Sequence, residues 1–325
     1  MQILVTGGAG YIGSHCVKIL VNKGYDVIVV DSLITGHQEA VDDRAKLYIG
    51  DIGDYAFMMQ VFKENDIKGV IHFAAFSLVG ESMTNPYKYY ENNMGKTNVL
   101  LKAMVDSNVL NIVFSSTAAT YGEPLKTPIT ETDPQNPTNV YGETKLSMEK
   151  MIRWYGTIYG LNNVALRYFN VAGAYPTGEI GEAHNPETHL IPLILQAASG
   201  RREAIKVFGT DYPTKDGTCI RDYIHMLDLI DAHILALNYL MNGGKSDYFN
   251  LGSGQGFSVL EMIEAAKEVT GMDFKVIYET RRPGDPAILI ASSAKAKKIL
   301  GWKPQHESIK EMIKDAWCWE QNKRY

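Results

Sequence analysis

The start of the chain constrains the fold more than any other stretch. A short apolar run, residues 2–6, leads into Gly7-Gly8-Ala9-Gly10-Tyr11-Ile12-Gly13, after which apolar residues recur at helical spacing. This order is typical of a buried parallel strand, a tight turn and a helix. Gly7 permits a sharp turn, Gly10 leaves room for a pyrophosphate, and Gly13 lets the helix approach the strand. The pattern predicts a dinucleotide site whose phosphates face the helix N-terminus. The alternative is a glycine turn that only packs.

A second apolar run strengthens the prediction of a dinucleotide site. Residues 27–30 are Val-Ile-Val-Val, and Asp31 follows them directly. A carboxylate at this distance from a glycine turn is typical of one that binds the ribose of a dinucleotide.

Composition excludes several classes of protein. The chain has 325 residues, 45% of them hydrophobic, and a formal net charge of -5, with no block of like charges. Nucleic acid and anionic membranes are therefore not expected partners. Cys16, Cys219 and Cys318 are far apart in the sequence and form no ligand pair, so we predict free thiols and no metal site. No apolar run approaches the roughly 18 residues of a membrane span, no targeting segment is expected, and a cytoplasmic location follows as an expectation.

Strand and helix patterns alternate along the first half of the chain, which predicts an α/β fold with a doubly wound parallel sheet. We expect residues 1–170 to form a Rossmann-type domain, to which residues 220–252 return. Residues 171–325 would form mainly a smaller, interleaved substrate domain. The Gly- and Pro-rich stretch 172–189 fits no regular element, and an active-site loop explains its length.

Several polar residues follow predicted strands, where ligands collect in such a sheet. Asp51 either binds adenine through its neighbouring backbone or caps the helix that begins near Tyr55. His72, within an apolar strand, is interpreted as a satisfied core histidine. The hydroxyls of residues 115–117 either serve substrate chemistry or only hydrogen-bond the next turn.

Tyr141 and Lys145 are four residues apart on a predicted helix, 139–159, and so lie one turn apart on one face. Such pairs are common by chance. The position of this pair, at the start of a helix that follows the hydroxyl cluster, makes it a candidate for chemistry.

Together these motifs resemble the extended short-chain dehydrogenase/reductases. Three further segments narrow the resemblance to the UDP-glucose 4-epimerase family: residues 167–170, the run from 211–214 to 221–225, and the charged turn 281–285. The resemblance covers essentially the whole chain. It implies NAD as cofactor, a UDP-sugar as substrate and a homodimer.

The resemblance also implies residue roles. Tyr141 would be the catalytic acid/base, Lys145 would hold the nicotinamide ribose, and Thr117 would hydrogen-bond the sugar. The implied cofactor-binding residues are Gly7, Gly10, Tyr11, Ile12, Gly13, Asp31, Asp51, Ile52, Phe73, Ala74, Ala75, Asn93, Tyr141, Lys145 and Phe169. The implied substrate-binding residues are Thr117, Tyr141, Asn170, His189, Leu190, Phe208, Arg221, Arg282, Asp285 and Leu289. Two positions depart from the family pattern, where a lysine is replaced by Ser77 and an asparagine by His189.

The implied chemistry is reversible oxidation at C4 of the sugar. Inverting a stereocentre requires breaking one of its bonds, and NAD can take the hydrogen as hydride while Tyr141 takes the hydroxyl proton. A phenol has a reference pKa of about 10, and we expect Lys145 and the nicotinamide to lower it. The 4-keto sugar would turn over while the diphosphate is held by Arg221 and Arg282. Each arginine alone is equally consistent with a surface ion pair, for example with Asp222 or Asp285.

Two rival functions remain. A nucleotide-sugar dehydratase or decarboxylase needs further proton carriers, but Ala118 and Ala119 follow Thr117. A non-catalytic dinucleotide sensor has no use for the hydroxyl, phenol and amine together. Within the family, the position of Leu289 faces the substrate's C2 group, so a leucine there predicts some activity on UDP-N-acetyl sugars. The alternative is a core residue of a short strand.

Overall fold

The computed structural model describes residues 1–282 and 285–325. Within these residues the strands are β1 (Gln2–Thr6), β2 (Asp26–Asp31), β3 (Lys46–Ile49), β4 (Ile67–His72), β5 (Asn111–Ser115), β6 (Asn162–Tyr168), β7 (Asn170–Ala172), β8 (Ala204–Phe208), β9 (Ile220–His225), β10 (Asp247–Leu251), β11 (Gly256–Ser258), β12 (Lys275–Glu279) and β13 (Ile288–Leu289). The helices are α1 (Tyr11–Asn22), α2 (Tyr55–Glu64), α3 (Val79–Ser82), α4 (Pro86–Tyr89), α5 (Thr97–Asp106), α6 (Val140–Tyr159), α7 (Leu190–Ala198), α8 (Met226–Met241), α9 (Val259–Thr270), α10 (Ala294–Ile299) and α11 (Ile309–Asn322). A π-helical segment, Tyr90–Lys96, joins α4 to α5.

A seven-stranded parallel sheet forms the centre of the molecule, with strand order β10-β6-β5-β4-β1-β2-β3. The direction of strand succession reverses between β1 and β4, which pair directly. Such a switch point leaves a crevice at the carboxyl ends of the strands. The prediction of a doubly wound α/β fold is confirmed.

Helices cover both faces of this sheet. One face packs against α1 and α8 around buried residues such as Val17 and Leu229, and the other packs against α2, α5 and α6 around residues such as Met104. The central strand β1 is buried on both faces, which is why its sequence is a continuous apolar run.

A second lobe is built from shorter strands. β9 pairs with β7, β11 and β13, and β8 pairs with β12, while α7, α9 and α11 pack around a separate core. The chain then returns to the large sheet, since α8 packs on α1 and β10 pairs with β6. The division into an NAD domain and a substrate domain stays a prediction.

Local chemistry explains where several helices begin and end. Asn139 caps α6 by accepting a hydrogen bond from the Gly142 N–H, and α6 ends at Gly160, whose φ is +75°. Ser258 and Glu261 form a reciprocal capping box at α9. Among the described residues, none of the helices is both long and apolar enough to cross a bilayer.

Candidate active site

A cavity of about 840 Å³ lies at the carboxyl ends of the central strands, beside the switch point. Eighteen of the predicted site residues are on its wall: Gly7, Gly10, Tyr11, Ile12, Gly13, Asp31, Asp51, Ile52, Phe73, Ala74, Ala75, Thr117, Tyr141, Lys145, Phe169, Asn170, His189 and Leu190. The structure thus brings the glycine turn, the hydroxyl cluster and the Tyr–Lys pair to one place.

The three glycines of the turn are needed for different reasons. Gly7 has φ +74°, and a Cβ there would lie 2.7 Å from the Ala74 nitrogen. A Cβ at Gly13 would lie 2.0 Å from the Gly7 oxygen, so the first turn of α1 could not approach the strand. A Cβ at Gly10 would meet only the Gly7 oxygen at 3.5 Å, an ordinary contact. Protein packing alone therefore does not require a glycine at position 10, whereas a ligand lying against the backbone would.

Asp31 is fixed by the backbone on both sides. One carboxylate oxygen accepts a hydrogen bond from the Ala9 N–H of the glycine turn at 2.9 Å, and the other accepts from the Leu33 N–H at 2.8 Å. This ties the end of β2 to the turn after β1 and holds a negative charge on the cavity wall.

The capping alternative for Asp51 is wrong. Asp54 caps α2 by accepting from the Phe57 N–H at 3.1 Å. Asp51 instead accepts from the Gly53 N–H at 2.8 Å and from Lys96 at 2.6 Å, on the cavity wall. Its adenine role stays a prediction.

His72 is a satisfied core histidine, as predicted. Its side chain is fully buried, with Nδ1 2.6 Å from the Thr6 hydroxyl and Nε2 3.0 Å from the Thr97 hydroxyl. Burial lowers the pKa of His72 to about 3, so the ring is neutral.

Asn93 is fully buried and does not line the cavity, so its predicted contact with the cofactor stays a prediction. Its amide bridges the Phe76 N–H and C=O at 2.9 and 3.1 Å, and it donates to the Thr144 hydroxyl at 3.1 Å. It therefore joins the loop after β4 to α6, one residue away from Lys145.

The hydroxyls after β5 have separate partners. Ser115 contacts the phenol of Tyr168, and Ser116 donates to Glu149 at 2.5 Å. Thr117 accepts from the Ala119 N–H at 3.1 Å and lies with Tyr141 on the cavity wall. Thr117 therefore supports the turn, and its role in substrate chemistry stays a prediction.

The Lys145 amine lies deep in the site. It donates to the Ser115 carbonyl at 2.8 Å and lies 5.9 Å from the centre of the Tyr141 ring. Burial lowers the pKa of Lys145 to about 7.

The expectation that Lys145 lowers the pKa of Tyr141 is not met by the protein's own groups, because the pKa of this phenol is raised. Burial raises the pKa of Tyr141 to about 12, although the neighbouring Thr117 hydroxyl acts in the opposite direction. The protein's own groups therefore favour the neutral phenol, because burial penalises the phenolate more than Thr117 stabilises it.

Five predicted substrate residues lie away from the cavity wall, on the second lobe: Phe208, Arg221, Arg282, Asp285 and Leu289. Arg221 contacts the Asp285 carboxylate, and the Arg282 guanidinium lies 3.9 Å from the centre of the Phe208 ring. Pro283 and Gly284, within the predicted charged turn, lie outside the described residues.

Strand β9 connects this group to the cavity. Tyr223 lines the cavity and pairs with Asn170, and Arg221 lies two residues earlier on the same face of β9. Leu289 is the register partner of Arg221 in β13. Asp222 is not the partner of Arg221; its buried carboxylate accepts N–H groups from Ser253, Gly254 and Ala291.

Comparison with known proteins identifies the family. A curated UDP-glucose 4-epimerase from Lacticaseibacillus casei is 59% identical over 322 residues, covering 99% of this chain and 97% of the relative. The chain belongs to the UDP-glucose 4-epimerase family. The solved epimerase of Brucella ovis in complex with NAD matches with a TM-score of 0.95 at 46% identity, covering 97% of each chain. That of Bifidobacterium longum with NAD+ and UDP matches with a TM-score of 0.92 at 40% identity, covering 99% of each chain.

A family profile described as GDP-mannose 4,6 dehydratase also matches, over residues 4–316. Epimerase-family chains and dehydratases thus share the scaffold. In this member of the epimerase family Ala118 and Ala119 form a short 3-10 turn directly after Thr117, where an elimination reaction would need a carboxylate.

Sequence analysis missed a buried ion pair beneath the hydroxyl cluster. Arg167 makes two hydrogen bonds to Glu149, from Nε at 2.9 Å and from Nη2 at 2.5 Å, and Glu149 also accepts from Ser116. The sequence contained the signal. Glu149 lies four residues after Lys145 and eight after Tyr141, so all three share one face of α6. In this epimerase-family chain the pair anchors that face to β6.

Proposed function

We propose that this protein interconverts UDP-galactose and UDP-glucose with a resident NAD. The observation that carries the proposal is the convergence of Thr117, Tyr141 and Lys145 on one cavity beside the glycine turn. The high identity to curated UDP-glucose 4-epimerases over nearly the full chain supports it.

The chain's residues fit NAD. Gly10 leaves room for a pyrophosphate against the backbone, at a position where contacts within the protein do not require a glycine. The Asp31 carboxylate, which the backbone holds in place, suits a ribose hydroxyl and would repel a 2′-phosphate. Asp51 and Ile52 would hold the adenine end, while Tyr141 and Lys145 would hold the nicotinamide end. When bound, NAD supplies the acceptor and donor for the C4 hydrogen.

Tyr141 would remove the proton of the C4 hydroxyl and return it to the epimer. For this the phenolate must become accessible, and the Lys145 amine, 5.9 Å from the centre of the ring, favours it when protonated. Thr117, which shares the cavity wall with Tyr141, would orient the sugar hydroxyl. The reaction has no net redox change, because the hydrogen removed from one face of C4 is returned to the other.

The second lobe would hold the nucleotide while the sugar turns. Arg221 and Arg282 have forked donors suited to a diphosphate, and both lie on the lobe that β9 joins to the cavity. Phe208 and Asp285, which contact these arginines, would complete the site. This assignment requires Arg221 to exchange Asp285 for the substrate.

One more substrate class is supported by the position of Leu289. In a parallel pair, register partners point to the same face, so Leu289 lies beside Arg221 and on the face of Tyr223. We therefore favour a pocket residue over a core residue, and infer some activity on UDP-N-acetyl sugars.

A homodimer is the proposed assembly. The C-terminal half of α6 exposes Trp154, Ile158 and Tyr159, at 62%, 64% and 52% of their surfaces. Positions 154 and 158 are one helical turn apart, so this patch suits a second copy of the same helix. Light scattering should show a dimer that Trp154→Glu dissociates. Leu125→Glu, at a residue 89% exposed elsewhere, is the control and should stay dimeric.

The three cysteines are free thiols, which supports a cytoplasmic location.

The direct test of the proposed function uses purified protein without added cofactor. Incubated with UDP-galactose, it should form UDP-glucose, and denaturation should release close to one NAD per chain. Full activity in protein shown to lack dinucleotide would disprove the mechanism. Loss of water from the UDP-hexose would favour the dehydratase alternative, and release of carbon dioxide from a UDP-uronic acid supplied in its place would favour the decarboxylase alternative.

A further inference from the structure

Two histidines and two glutamates converge in the loop before α7. The potential ligand atoms of Glu182, His184, Glu187 and His189 all lie within 4.8 Å of one another. His184 Nδ1 lies 2.9 Å from Glu182 Oε1 and 3.9 Å from Glu187 Oε2. His189 Nδ1 lies 3.6 Å from Glu187 Oε1 and contacts Glu182 Oε1 directly. Each imidazole therefore faces both carboxylates.

These separations suit a metal ion. Bonds of roughly 2.0–2.2 Å from Zn²⁺ to nitrogen and oxygen give a tetrahedron with edges of about 3.4 Å. The distances from His184 Nδ1 to Glu182 Oε1 and to Glu187 Oε2, 2.9 and 3.9 Å, lie on either side of this value, whereas His189 Nδ1 contacts Glu182 Oε1 directly and would have to move away from it to make room for an ion. Imidazole and carboxylate ligands without a thiolate are compatible with Zn²⁺.

Burial and outer contacts favour a built site over a chance cluster. The side chains of Glu182 and Glu187 are only 7% and 6% exposed, and two buried carboxylates this close need positive charge between them. Glu187 Oε1 accepts hydrogen bonds from the N–H groups of Thr188 at 2.7 Å and His189 at 2.9 Å. This fixes the carboxylate and leaves Oε2 directed toward His184, as outer hydrogen bonds do for metal ligands.

We propose that Glu182, His184, Glu187 and His189 bind one Zn²⁺ ion per chain and that this ion fixes the loop across the cavity. Four protein ligands close the coordination sphere, which is the pattern of a structural site. In this arrangement His189 is a metal ligand rather than a substrate contact.

The loop's other contacts show what such an ion would stabilise. The Ala183 carbonyl accepts from His37 on the dinucleotide side at 3.0 Å, and the Glu182 carbonyl accepts from Trp319 of α11 at 2.9 Å. His189 is also the residue that precedes α7, and it provides no side-chain cap there. An ion at this cluster would therefore join the cavity wall, α7 and α11.

The test measures metal directly, in untagged holoenzyme. Elemental analysis after equilibration with Zn²⁺ and desalting should find one ion per chain. After chelation, Co²⁺ should bind at one site per chain and give the intense visible absorption of a four-coordinate ion. His184→Asn and Glu187→Gln should each weaken Co²⁺ binding by about tenfold or more.

His306→Asn is the matched control, because His306 also faces a glutamate, Glu311 at 2.7 Å, but belongs to no four-residue cluster among the described residues. It should bind Co²⁺ like the wild type. Retained NAD and an unchanged circular dichroism spectrum would show that the variants are folded. Hydrogen exchange in residues 182–189 should slow on Zn²⁺ addition only in proteins with the intact cluster.

No saturable Zn²⁺ or Co²⁺ binding, or equal binding by His184→Asn and the wild type, would overturn the proposal and leave an ion-pair cluster only. Neither outcome bears on the proposed epimerase activity, which is measured separately by conversion of UDP-galactose.

Discussion

The two sides of the site are built differently. On the large sheet, hydrogen bonds hold Thr117 just after β5 and the Lys145 amine against the Ser115 carbonyl, and Tyr141 lies in the first turn of the helix that carries Lys145. On the second lobe, the two arginines are held by side-chain contacts: Arg221 in β9 contacts the Asp285 carboxylate, and Arg282 lies over the Phe208 ring.

This difference suggests that the large sheet provides the groups for proton transfer and that the second lobe binds the nucleotide. Burial moves the pKa of Tyr141 up to about 12 and that of Lys145 down to about 7, so the sheet side controls where a proton resides. The arginines keep their charge and can exchange one anion for another, which suits a nucleotide that must enter and leave. Substitutions on the sheet side should therefore change kcat, and those on the second lobe should change KM.

The largest expected effect is that of Tyr141→Phe. Removing only the phenol oxygen should lower kcat by about 10²–10⁴-fold while bound NAD stays at one per chain. Tyr168→Phe is the matched control, since this tyrosine also lines the cavity and contacts Ser115. Its kcat should fall less than tenfold. A near-normal rate for Tyr141→Phe would assign the proton transfer to another group, such as Thr117.

Asp31 should control the choice of cofactor. Because Ala9 and Leu33 hold its carboxylate in place, a 2′-phosphate would meet a fixed like charge that costs several kcal/mol. Reconstituted apoprotein should bind NADP at least ~100-fold more weakly than NAD by titration calorimetry. Equal affinity for the two dinucleotides would show that Asp31 does not contact the ribose.

Much of this organisation could be predicted from the sequence because it depends on local patterns. The glycine turn, the helical face shared by Tyr141 and Lys145, and the capping box at Ser258 each lie within a few residues. Asp51 was ambiguous because Asp54, three residues later, is an equally good cap, and only the geometry of α2 distinguishes them.

What could not be predicted depends on pairing between distant segments. The strands β7, β11 and β13 have two or three residues each, too few for a periodic pattern, and exist because β9 pairs with them. The contact between Arg221 and Asp285 joins residues 64 positions apart. The Glu-x-His-x-x-Glu-x-His spacing of residues 182–189 was visible, but only the fold of the loop brings its four side chains together.

On the second lobe, Arg221→Lys should raise KM for UDP-galactose by about 10–100-fold with kcat nearly unchanged. Lysine keeps the charge but loses the forked donors, and hydrogen bonds to charged groups contribute roughly 1.5–3 kcal/mol. Arg281→Lys is the control, because Arg281 pairs with Asp211 on the surface and has no assigned substrate role. If Arg221→Lys lowered kcat and left KM unchanged, the assignment of nucleotide binding to the second lobe and of proton transfer to the large sheet would be wrong.

The free energy of unfolding should also depend on pH, through the buried His233 in the core of the large sheet. Burial lowers the pKa of His233 to about 4, below the usual value near 6.5, so the unfolded chain binds a proton that the folded chain excludes. The contribution of His233 therefore lowers the free energy of unfolding as the pH falls from about 6.5 to about 4, by about 1.4 kcal/mol per pH unit. Denaturant unfolding at several pH values should show that the free energy of unfolding depends less steeply on pH in His233→Phe than in the wild type. The difference should correspond to the uptake of about one proton on unfolding. An unchanged slope would mean that the ring does not titrate on unfolding.

The smallest effect on UDP-galactose is expected from Leu289→Tyr, which tests whether the second lobe also selects the sugar. Leu289 in β13 lies beside Arg221, on the sheet face that also carries the cavity-lining Tyr223, so we expect a larger side chain there to extend toward the bound sugar. UDP-galactose turnover should change less than about twofold, since its C2 hydroxyl is small, whereas activity on UDP-N-acetylglucosamine should be lost. Ile288→Phe is the control, because successive strand residues point to opposite faces and it should not discriminate between the sugars. If the wild type does not epimerise the acetamido sugar, or if Leu289→Tyr damages both activities equally, Leu289 does not face the C2 group and the second lobe only holds the nucleotide.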